Sequence, residues 1–405
     1  MSNPFNSINE LFINYQSRDY GSVEPEGVVK LDCSLGVNSD LLGNCVFDTL
    51  HNFQQKSVLL EGSTARVLNE GHYAEIKFYP HDDSIQDSLT SWYRNRGMDW
   101  LTGENFIMGN GSYEILCNLN LLCLTGGRTV LGHAPQFTAY IDNVFCTGSN
   151  YEYVTFARDA NYKFHVDDYL DAMSDRHAMF IIENPNNPTG QLIPLDSLEK
   201  IAEKALAMNK ILVVDEAYGE YLPDWATAIN LTNKYPNVIV TRSFSKGWGM
   251  AGLRIGYAVM STETDTLDLL RKIELGFNCN ALARALAKTA LDSQLENPSD
   301  PFSVRTVTRN KRELLDELDE MNARYHCPLR VAETYKSTPI LMLYCDTDDE
   351  SFDLQSYFMR YGLLTVSCGS YYGLDARAVR IMLPEEDQMG LLLEILEQAC
   401  KDWEK

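Results

Sequence analysis

The chain has 405 residues, of which 45% are hydrophobic and 22% are charged, and this balance is typical of a globular protein with a full core. Its formal net charge of −23 disfavours nucleic acids and anionic membranes as partners, because both need a positive surface. No stretch approaches the ~18 uncharged apolar residues of a membrane span. The start, MSNPFNSINELF, does not resemble a signal peptide, and the ten cysteines form no CxxC pair, so we expect a cytoplasmic location with reduced thiols.

The middle of the chain predicts buried strands. Each of its apolar runs is continuous rather than alternating, as in strands that are covered on both faces of a parallel sheet. The runs are RTVLGH at 128–133, AMFIIENP at 178–185, KILVVDEAY at 210–218, NVIVTRSFSK at 237–246 and RIGYAVM at 254–260.

A helix is predicted between two of these runs. In PLDSLEKIAEKALAMNK the apolar residues Leu198, Ile201, Ala202 and Ala205 recur at the spacing of one helix face. Strand, helix and strand in this order predict an α/β fold with a large, doubly wound and mostly parallel sheet.

The pattern changes after about residue 279. A helix-like stretch, ALARALAKTALDSQLE, and the charged helix RNKRELLDELDEMNARY precede the strand-like PILMLYCD, LLTVSCG and VRIML, and a last amphipathic helix is expected near 387–402. This predicts a smaller α/β domain at 279–405, a large domain at 46–278 and an N-terminal segment, 1–45, that packs with the small domain.

Four polar clusters follow the predicted strands, where open α/β sheets bind ligands. They are GNGSYE (109–114), ENPNNPTG (183–190), VDEAYGEY (214–221) and SFSKGWGMAGLRIGY (243–257). Each alone is better explained as a turn or a helix cap. All four in this order are hard to explain by structure alone.

As a set, these motifs resemble the fold-type I pyridoxal-phosphate (PLP) enzymes of the class I/II aminotransferase family. The chain is similar to the branch that holds histidinol-phosphate aminotransferases and threonine-phosphate decarboxylases, from about residue 30 onward. NNPTG, DEAY and SFSKGWGMAGLRIGY carry this resemblance, and FNCNALARALA at 277–287 supports it. The resemblance implies the aspartate aminotransferase-like fold, with 46–278 as the PLP-binding domain.

The resemblance also implies catalytic roles. Lys246 would form the Schiff base with PLP and remove the proton from the substrate Cα. Asp215 would pair with the pyridine nitrogen, so that the ring stays protonated and draws electrons from Cα. Tyr218 and Asn187 would both hydrogen-bond the phenolic oxygen of the ring, and Phe137 would stack on its face.

The same resemblance assigns the groups that would bind anions. The PLP phosphate would be held by donors from two motifs, with Arg254 as the bidentate anchor: Gly111, Ser112, Tyr113, Ser243, Ser245 and Arg254. Arg380, together with Asn187, would bind the substrate α-carboxylate. Tyr79 would reach the phosphate in the neighbouring subunit, which implies a homodimer.

The reaction is less well determined than the cofactor. We expect an aminotransferase, but β/γ-elimination, cyclisation and decarboxylation would use the same residues. A PLP-binding regulator is disfavoured, because neither the first 45 residues nor the charge of −23 provides a DNA-binding domain. The stretch LLTVSCGSYYGLDARAVR has no arginine before Arg377, so we expect an unphosphorylated L-α-amino acid, with a 2-oxo acid as amino acceptor, rather than histidinol phosphate.

Other candidate residues give weaker evidence of function. HDD at 81–83 is better explained as a solvated turn than as a metal site, and no metal is expected. His133 is expected to be a core or loop histidine, and Cys279 and Cys368 inert buried thiols. Whether these three side chains line the site stays open at this stage.

Overall fold

The computed structural model describes residues 27–34, 79–80, 84–296 and 298–403. The HDD motif at 81–83 and most of the N-terminal segment 1–45 lie outside these described residues. Of the described helices, none combines the length and the apolar character that a membrane-crossing helix needs.

Ten α-helices are described: α1 (Ser84–Arg94), α2 (Ser112–Leu124), α3 (Thr138–Cys146), α4 (Val166–Ala172), α5 (Leu195–Ala207), α6 (Thr266–Ile273), α7 (Ala281–Glu296), α8 (Val304–Tyr325), α9 (Leu354–Met359) and α10 (Met389–Lys401).

The described strands are β1 (Leu31–Asp32), β2 (Phe106–Gly109), β3 (Thr129–Ala134), β4 (Asn150–Thr155), β5 (His177–Glu183), β6 (Ile211–Asp215), β7 (Val238–Ser243), β8 (Gly256–Met260), β9 (Leu329–Val331), β10 (Ile340–Cys345), β11 (Leu363–Leu364), β12 (Val366–Ser367) and β13 (Ala378–Met382).

Helix α5 shows how closely the apolar pattern predicted burial. Its buried side chains are Leu198, Ile201, Ala202 and Ala205, the four positions expected from the 3.6-residue period. Because side chains three and four residues apart share one face of a helix, this pattern alone decides which side of α5 faces the core.

Seven strands form the large sheet, in the order β2-β8-β7-β6-β5-β3-β4. Strand β3 pairs parallel with β4 and with β5, as the βαβ rhythm predicted. Strand β8 is the exception, since it pairs antiparallel with both β7 and β2. A continuous apolar run indicates burial on both faces, but it does not determine the direction of the strand. The sheet is therefore mixed and mostly parallel, and the fold class is confirmed.

The chain divides into two compact units. The first comprises the described residues within Met1–Gly36, Leu119–Val213 and Val304–Lys405, and the second those within Val37–Asn118 and Val214–Ser303. The division at residues 45 and 278 that the sequence suggests stays a prediction.

Within the first unit, β12, β13, β10 and β9 form an antiparallel sheet in that order, and β1 pairs parallel with β11. Leu31 and Cys33 belong to a buried cluster with side chains of α8, β10 and α10, among them Leu318, Leu343 and Leu396. Burial of this apolar surface is the main force that holds these elements together.

Candidate active site

Asp215 is the last residue of β6, after four apolar residues of which the last three are buried. One of its carboxylate oxygens, Oδ1, accepts a 2.8 Å hydrogen bond from the Thr241 hydroxyl of β7. Burial raises the pKa of Asp215 to about 6, while the hydrogen bonds from Thr241 and from the Ala217 backbone and the charge of Lys246 act in the opposite direction. A buried carboxylate with few such partners is stabilised in its ionised form by a nearby cation. Asp215 is therefore suited to pair with a cationic ring nitrogen.

Lys246 lies in the turn after β7, and its Nζ is 5.4 Å from the centre of the Tyr218 ring. The turn is held by hydrogen bonds from Gly249 N to the Lys246 carbonyl and from Met250 N to the Phe244 carbonyl, both of 3.0 Å. Gly247 has to be a glycine, because a Cβ there would lie 2.6 Å from the Glu220 Cβ. The second unit thus places Lys246, Tyr218 and Asp215 in one region.

Hydrogen-bond donors meet beside this lysine. Ser243 donates a 2.9 Å hydrogen bond to the Ser245 hydroxyl, and the Arg254 Nη1 lies 3.5 Å from that same oxygen. Gly111, whose φ is +77°, precedes α2, and a Cβ on it would lie 2.9 Å from the Arg254 Nη2. Ser112 and Tyr113 begin α2, so their amides point out of the helix N-terminus.

This donor cradle fits a phosphate. It combines a guanidinium group, two hydroxyl groups and the positive end of a helix. Within the described part of the chain, Arg254 forms no ion pair with a carboxylate. Two features keep the cradle open: Gly111 and Gly256, where a Cβ would lie 2.5 Å from the Ser112 amide nitrogen. The residues present therefore fit the phosphate end of PLP, and Asp215 fits its ring nitrogen.

In the first unit, the structure brings together Arg380 and Asn187. Arg380, on β13, is 2% exposed, and its Nη1 donates a 3.1 Å hydrogen bond to the Asn187 Oδ1. Its Nη2 donates a 2.7 Å hydrogen bond to the Ser34 carbonyl. The planar guanidinium is thus fixed on two sides, as recognition of a carboxylate requires.

The loop ENPNNPTG is held by its own side chains. Glu183 Oε2 accepts hydrogen bonds from the Asn187 amide at 3.2 Å and from the Phe137 amide at 3.3 Å. Phe137 is half-buried and directly precedes α3. The Glu183 carboxylate therefore positions two of the predicted site residues, a role that the sequence pattern did not reveal.

Tyr79, in the second unit, is 68% exposed and stacks on Phe277 with ring centres 4.4 Å apart. Phe277 is itself 53% exposed. Two large aromatic side chains on a surface are typical of an interaction site.

The remaining candidates are buried and satisfied. Both ring nitrogens of His133 have partners: Nδ1 lies 2.8 Å from the Pro135 carbonyl, and Nε2 accepts a 3.0 Å hydrogen bond from the Glu183 amide. Burial lowers the pKa of His133 to about 4, so the ring is neutral. Burial also raises the pKa of Cys279 and of Cys368 to about 12. These residues are core groups, as expected.

The described residues contain no group of three or more His, Cys, Asp or Glu side chains arranged to hold a metal ion. The described cysteines are all free thiols.

A buried ionic cluster near Lys246 was not expected from the sequence. Arg242 Nη2 lies 2.8 Å from Glu216 Oε2, and Arg242 Nη1 lies 3.5 Å from Glu220 Oε1. Glu216 follows Asp215 directly, and Glu220 touches the position of Gly247. Charged residues inside an apolar run, such as Arg242 in VIVTRSFSK, were the only sequence signal for this cluster.

The family of this chain follows from comparisons with known proteins. The family model of aminotransferase class I and II matches residues 43–396. The chain is 31% identical over 334 residues to histidinol-phosphate aminotransferase 1 of Cupriavidus pinatubonensis, which covers 81% of this chain and 82% of the relative.

Two solved structures show the fold. The histidinol-phosphate aminotransferase of Sinorhizobium meliloti in complex with pyridoxal-5′-phosphate is 20% identical, with a TM-score of 0.74 and coverage of 98% of this chain and 99% of that one. L-threonine-O-3-phosphate decarboxylase of Porphyromonas gingivalis is 18% identical, with a TM-score of 0.67 and coverage of 91% of this chain and 98% of that one. The match to the family model and to the curated relative confirms the resemblance: this chain belongs to the class I and II aminotransferases and is a PLP-dependent aminotransferase of fold type I.

Proposed function

We propose that this enzyme transaminates an unphosphorylated L-α-amino acid, with Lys246 as the residue that binds PLP covalently and removes the Cα proton. Bound PLP supplies an electron-withdrawing ring that stabilises negative charge at Cα. Lys246 follows β7 in a turn that two backbone hydrogen bonds of 3.0 Å hold in place, so the backbone that carries its amine is fixed. Asp215 would keep the ring nitrogen protonated, and Tyr218 and Asn187 would donate to the phenolic oxygen.

The cradle of donors would hold the phosphate. Ser243, Ser245 and Arg254 supply side-chain donors, and the segment Gly111–Tyr113 supplies backbone amides at the start of α2. Phe137 would stack on the ring, where an aromatic face adds dispersion energy. These contacts orient the cofactor while Lys246 and Asp215 act on the chemistry.

The observation that carries the choice of substrate is the pairing of Arg377. Its guanidinium forms a bidentate ion pair with Asp375, with Nε at 3.0 Å from Oδ1 and Nη2 at 2.6 Å from Oδ2. Its remaining terminal nitrogen, Nη1, donates to the Thr347 carbonyl at 2.9 Å. Arg377 is therefore fully engaged, and in the segment 363–380 Arg380 alone is left to bind an anion of the substrate.

One arginine with one amide is suited to a carboxylate. Arg380 and Asn187 would bind the α-carboxylate, since their polar atoms are held 3.1 Å apart in a buried position. A phosphate dianion would need a second cation, because burial of an unpaired charge costs several kcal/mol, on the order of 3–5 kcal/mol for a broken pair.

A second candidate is transamination of histidinol phosphate. The names of relatives such as that of Cupriavidus pinatubonensis favour it. Elimination, cyclisation and decarboxylation would use the same Lys246 and Asp215, but the family and the names of the relatives favour transamination.

One experiment separates these functions. The purified holoenzyme is incubated with single amino acids or with histidinol phosphate, each with and without 2-oxoglutarate, and the products are identified by mass spectrometry. We expect an oxo acid and glutamate from an unphosphorylated amino acid. A higher kcat/KM for histidinol phosphate would refute the proposed substrate. A transaminase without 2-oxoglutarate yields at most one oxo acid per active site, because the amino group stays on the cofactor, so multiple turnovers without 2-oxoglutarate would refute transamination.

We also propose a homodimer. The exposed pair of Tyr79 and Phe277 supports this assembly, with Tyr79 donating to the PLP phosphate bound by the second subunit. Each of the two active sites would then be completed by the other copy of the chain.

A further inference from the structure

Lys311 is a fully buried lysine near the start of α8. Its ammonium nitrogen lies within hydrogen-bonding distance of five oxygen atoms. They are Thr334 Oγ1 at 2.6 Å, Tyr335 O at 2.8 Å, Thr338 O at 2.9 Å, Thr338 Oγ1 at 3.0 Å and Ile340 O at 3.0 Å. Within the described residues, no carboxylate forms an ion pair with it.

An ammonium group is costly to bury unless hydrogen bonds replace the water that it loses. Burial lowers the pKa of Lys311 well below its usual value, because the ammonium loses its water. The surrounding oxygen atoms favour the charged form, since an ammonium donates three hydrogen bonds and an amine fewer. An apolar side chain would fill the same space without this cost, but it would leave several carbonyl groups facing one another without a donor.

The ammonium also fixes the direction of a neighbouring hydroxyl group. Lys311 donates to Thr338 Oγ1, so the hydroxyl proton of Thr338 is free to point elsewhere, and Gly190 O lies 2.6 Å from that oxygen. The Tyr335 amide donates a 2.9 Å hydrogen bond to the same Gly190 carbonyl. The turn 334–340 is therefore joined to Gly190 by two donors.

Gly190 closes the loop that carries Asn187. A Cβ on Gly190 would lie 2.2 Å from the Ile340 carbonyl oxygen, and its φ is +73°, so the turn and the loop are in direct contact. Gly190 N donates a 2.7 Å hydrogen bond to the Asn186 carbonyl, next to Asn187.

A second connection runs through β10. Ile340, whose carbonyl Lys311 binds, begins this strand and pairs with Met382 of β13. Two residues further along β10, Met342 lies opposite Arg380. Both members of the Arg380–Asn187 pair are thus tied to the same turn.

We propose that Lys311 is a positioning residue for substrate binding: its buried ammonium gathers the turn 334–340, and this turn sets the distance between Asn187 and Arg380. The inference rests on the proposed role of that pair in binding the substrate carboxylate. Lys311 acts like a built-in monovalent cation at the centre of an oxygen cage.

The test compares Lys311→Met with Lys336→Met as holoenzymes. Lys336 lies in the same turn but is exposed, so it controls for the loss of a lysine there. For Lys311→Met we expect the KM of the best amino acid donor to rise about tenfold or more, with a smaller change in kcat, because one or more hydrogen bonds to the turn are lost. The visible absorbance of bound PLP should stay unchanged, and Lys336→Met should match the parent enzyme.

Chemical rescue tests the role of the charge itself. In Lys311→Ala, added n-propylammonium replaces the missing part of the side chain, and we expect it to lower KM again. n-Propanol has almost the same shape without the charge and should not. If both compounds lower KM equally, or if neither lowers it, the proposed role of the positive charge is wrong.

Hydrogen exchange separates this inference from the proposed function. Peptides that cover 184–191 should exchange faster in Lys311→Met than in the parent enzyme, whether or not an amino acid is the substrate. Unchanged exchange, or an unchanged KM, would overturn the proposal. If Lys311→Met does not fold, Thr338→Val keeps the lysine, removes the hydroxyl link to Gly190 and must show the same faster exchange and higher KM. Failure of the proposed function would show separately, as a parent enzyme that uses no amino acid.

Discussion

The Thr241 hydroxyl donates a 2.8 Å hydrogen bond to the carboxylate of Asp215, across two adjacent strands of the sheet. The bond favours the ionised carboxylate, whereas burial raises its pKa to about 6. In the proposed function Asp215 holds a protonated ring nitrogen through its charge, so Thr241 would influence turnover through Asp215.

Thr241→Val should therefore raise the pKa of Asp215 further and lower kcat by about tenfold, since a hydrogen bond to a charged group contributes roughly 1.5–3 kcal/mol. Replacement of the hydroxyl by a methyl group changes the shape little. Thr241→Ser keeps the hydroxyl and serves as the control. The measurement is kcat across pH 5–9, where we expect the acid limb of the valine variant to move to higher pH (roughly one unit per 1.4 kcal/mol). Profiles that coincide for valine and serine would contradict the role of Thr241.

Asp215→Asn should reduce turnover far more than it reduces cofactor affinity. The proposed phosphate-binding group of Ser243, Ser245 and Arg254 is left in place by this change, whereas the ring nitrogen would lose its proposed ionised partner. We expect kcat to fall by at least about a hundredfold, since loss of a buried charged partner costs on the order of 3 kcal/mol. PLP affinity is measured by fluorescence titration, kcat by product formation. Turnover at the level of the parent enzyme would mean that another group protonates the ring.

Lys246→Ala should abolish the visible absorbance of PLP bound to the lysine and should abolish turnover, while the protein still folds. The side chain is partly accessible and makes few contacts, so its loss leaves the core intact. Circular dichroism checks the fold, and absorbance after dialysis checks the cofactor. Lys210→Ala, on a different segment, is the control. Normal turnover in Lys246→Ala would eliminate the assignment.

Relative to the parent enzyme, the Glu220→Gln variant should be more stable at pH 8 than at pH 5. Burial raises the pKa of Glu220 from 4.5 to about 7, with the nearby Glu216 acting in the same direction. Between these two values the folded state binds a proton that the unfolded state does not, so the free energy of unfolding of the parent enzyme falls as pH rises. The glutamine variant lacks this loss.

The free energy of unfolding of the variant minus that of the parent should rise by about 1–3 kcal/mol from pH 5 to pH 8. Urea unfolding of both proteins measures it. Exposed Glu263→Gln is the control, with no such pH dependence expected. A difference of the opposite sign would show that Arg242 holds Glu220 ionised down to pH 5.

The proposed homodimer has a direct test by complementation. Light scattering should give twice the mass of the chain. Tyr79→Ala and Lys246→Ala should each be inactive or strongly impaired, but a mixed dimer of the two contains one site with both groups intact. We expect mixing after mild unfolding to restore up to about half of the activity per hybrid dimer, as two composite sites on a two-fold axis require. An active monomer, or no recovery on mixing, would refute the shared site.

The sequence alone determined the family, the cofactor and much of the local structure. Helix α5 buries the four residues that its period indicates, because side chains three and four apart must share a face. The motifs SFSKGWGMAGLRIGY and DEAY follow buried strands, and the large sheet brings Lys246 and Asp215 to one region, as the rule for open sheets predicts. Residue types and their order were enough to identify the family and the cofactor, and the roles of the candidate residues stay predictions.

The tertiary structure decided what depends on contacts between distant segments. Nothing in RIGYAVM showed that β8 runs antiparallel, because an apolar run specifies burial and leaves strand direction to the partners. The hydrogen bond from Thr241 to Asp215 joins residues 26 positions apart in the chain. The bond from Thr338, which Lys311 contacts, to Gly190 joins residues 148 positions apart. Sequence patterns record which faces are buried, but hydrogen bonds between segments depend on strand order and register, and these are fixed only when the chain packs.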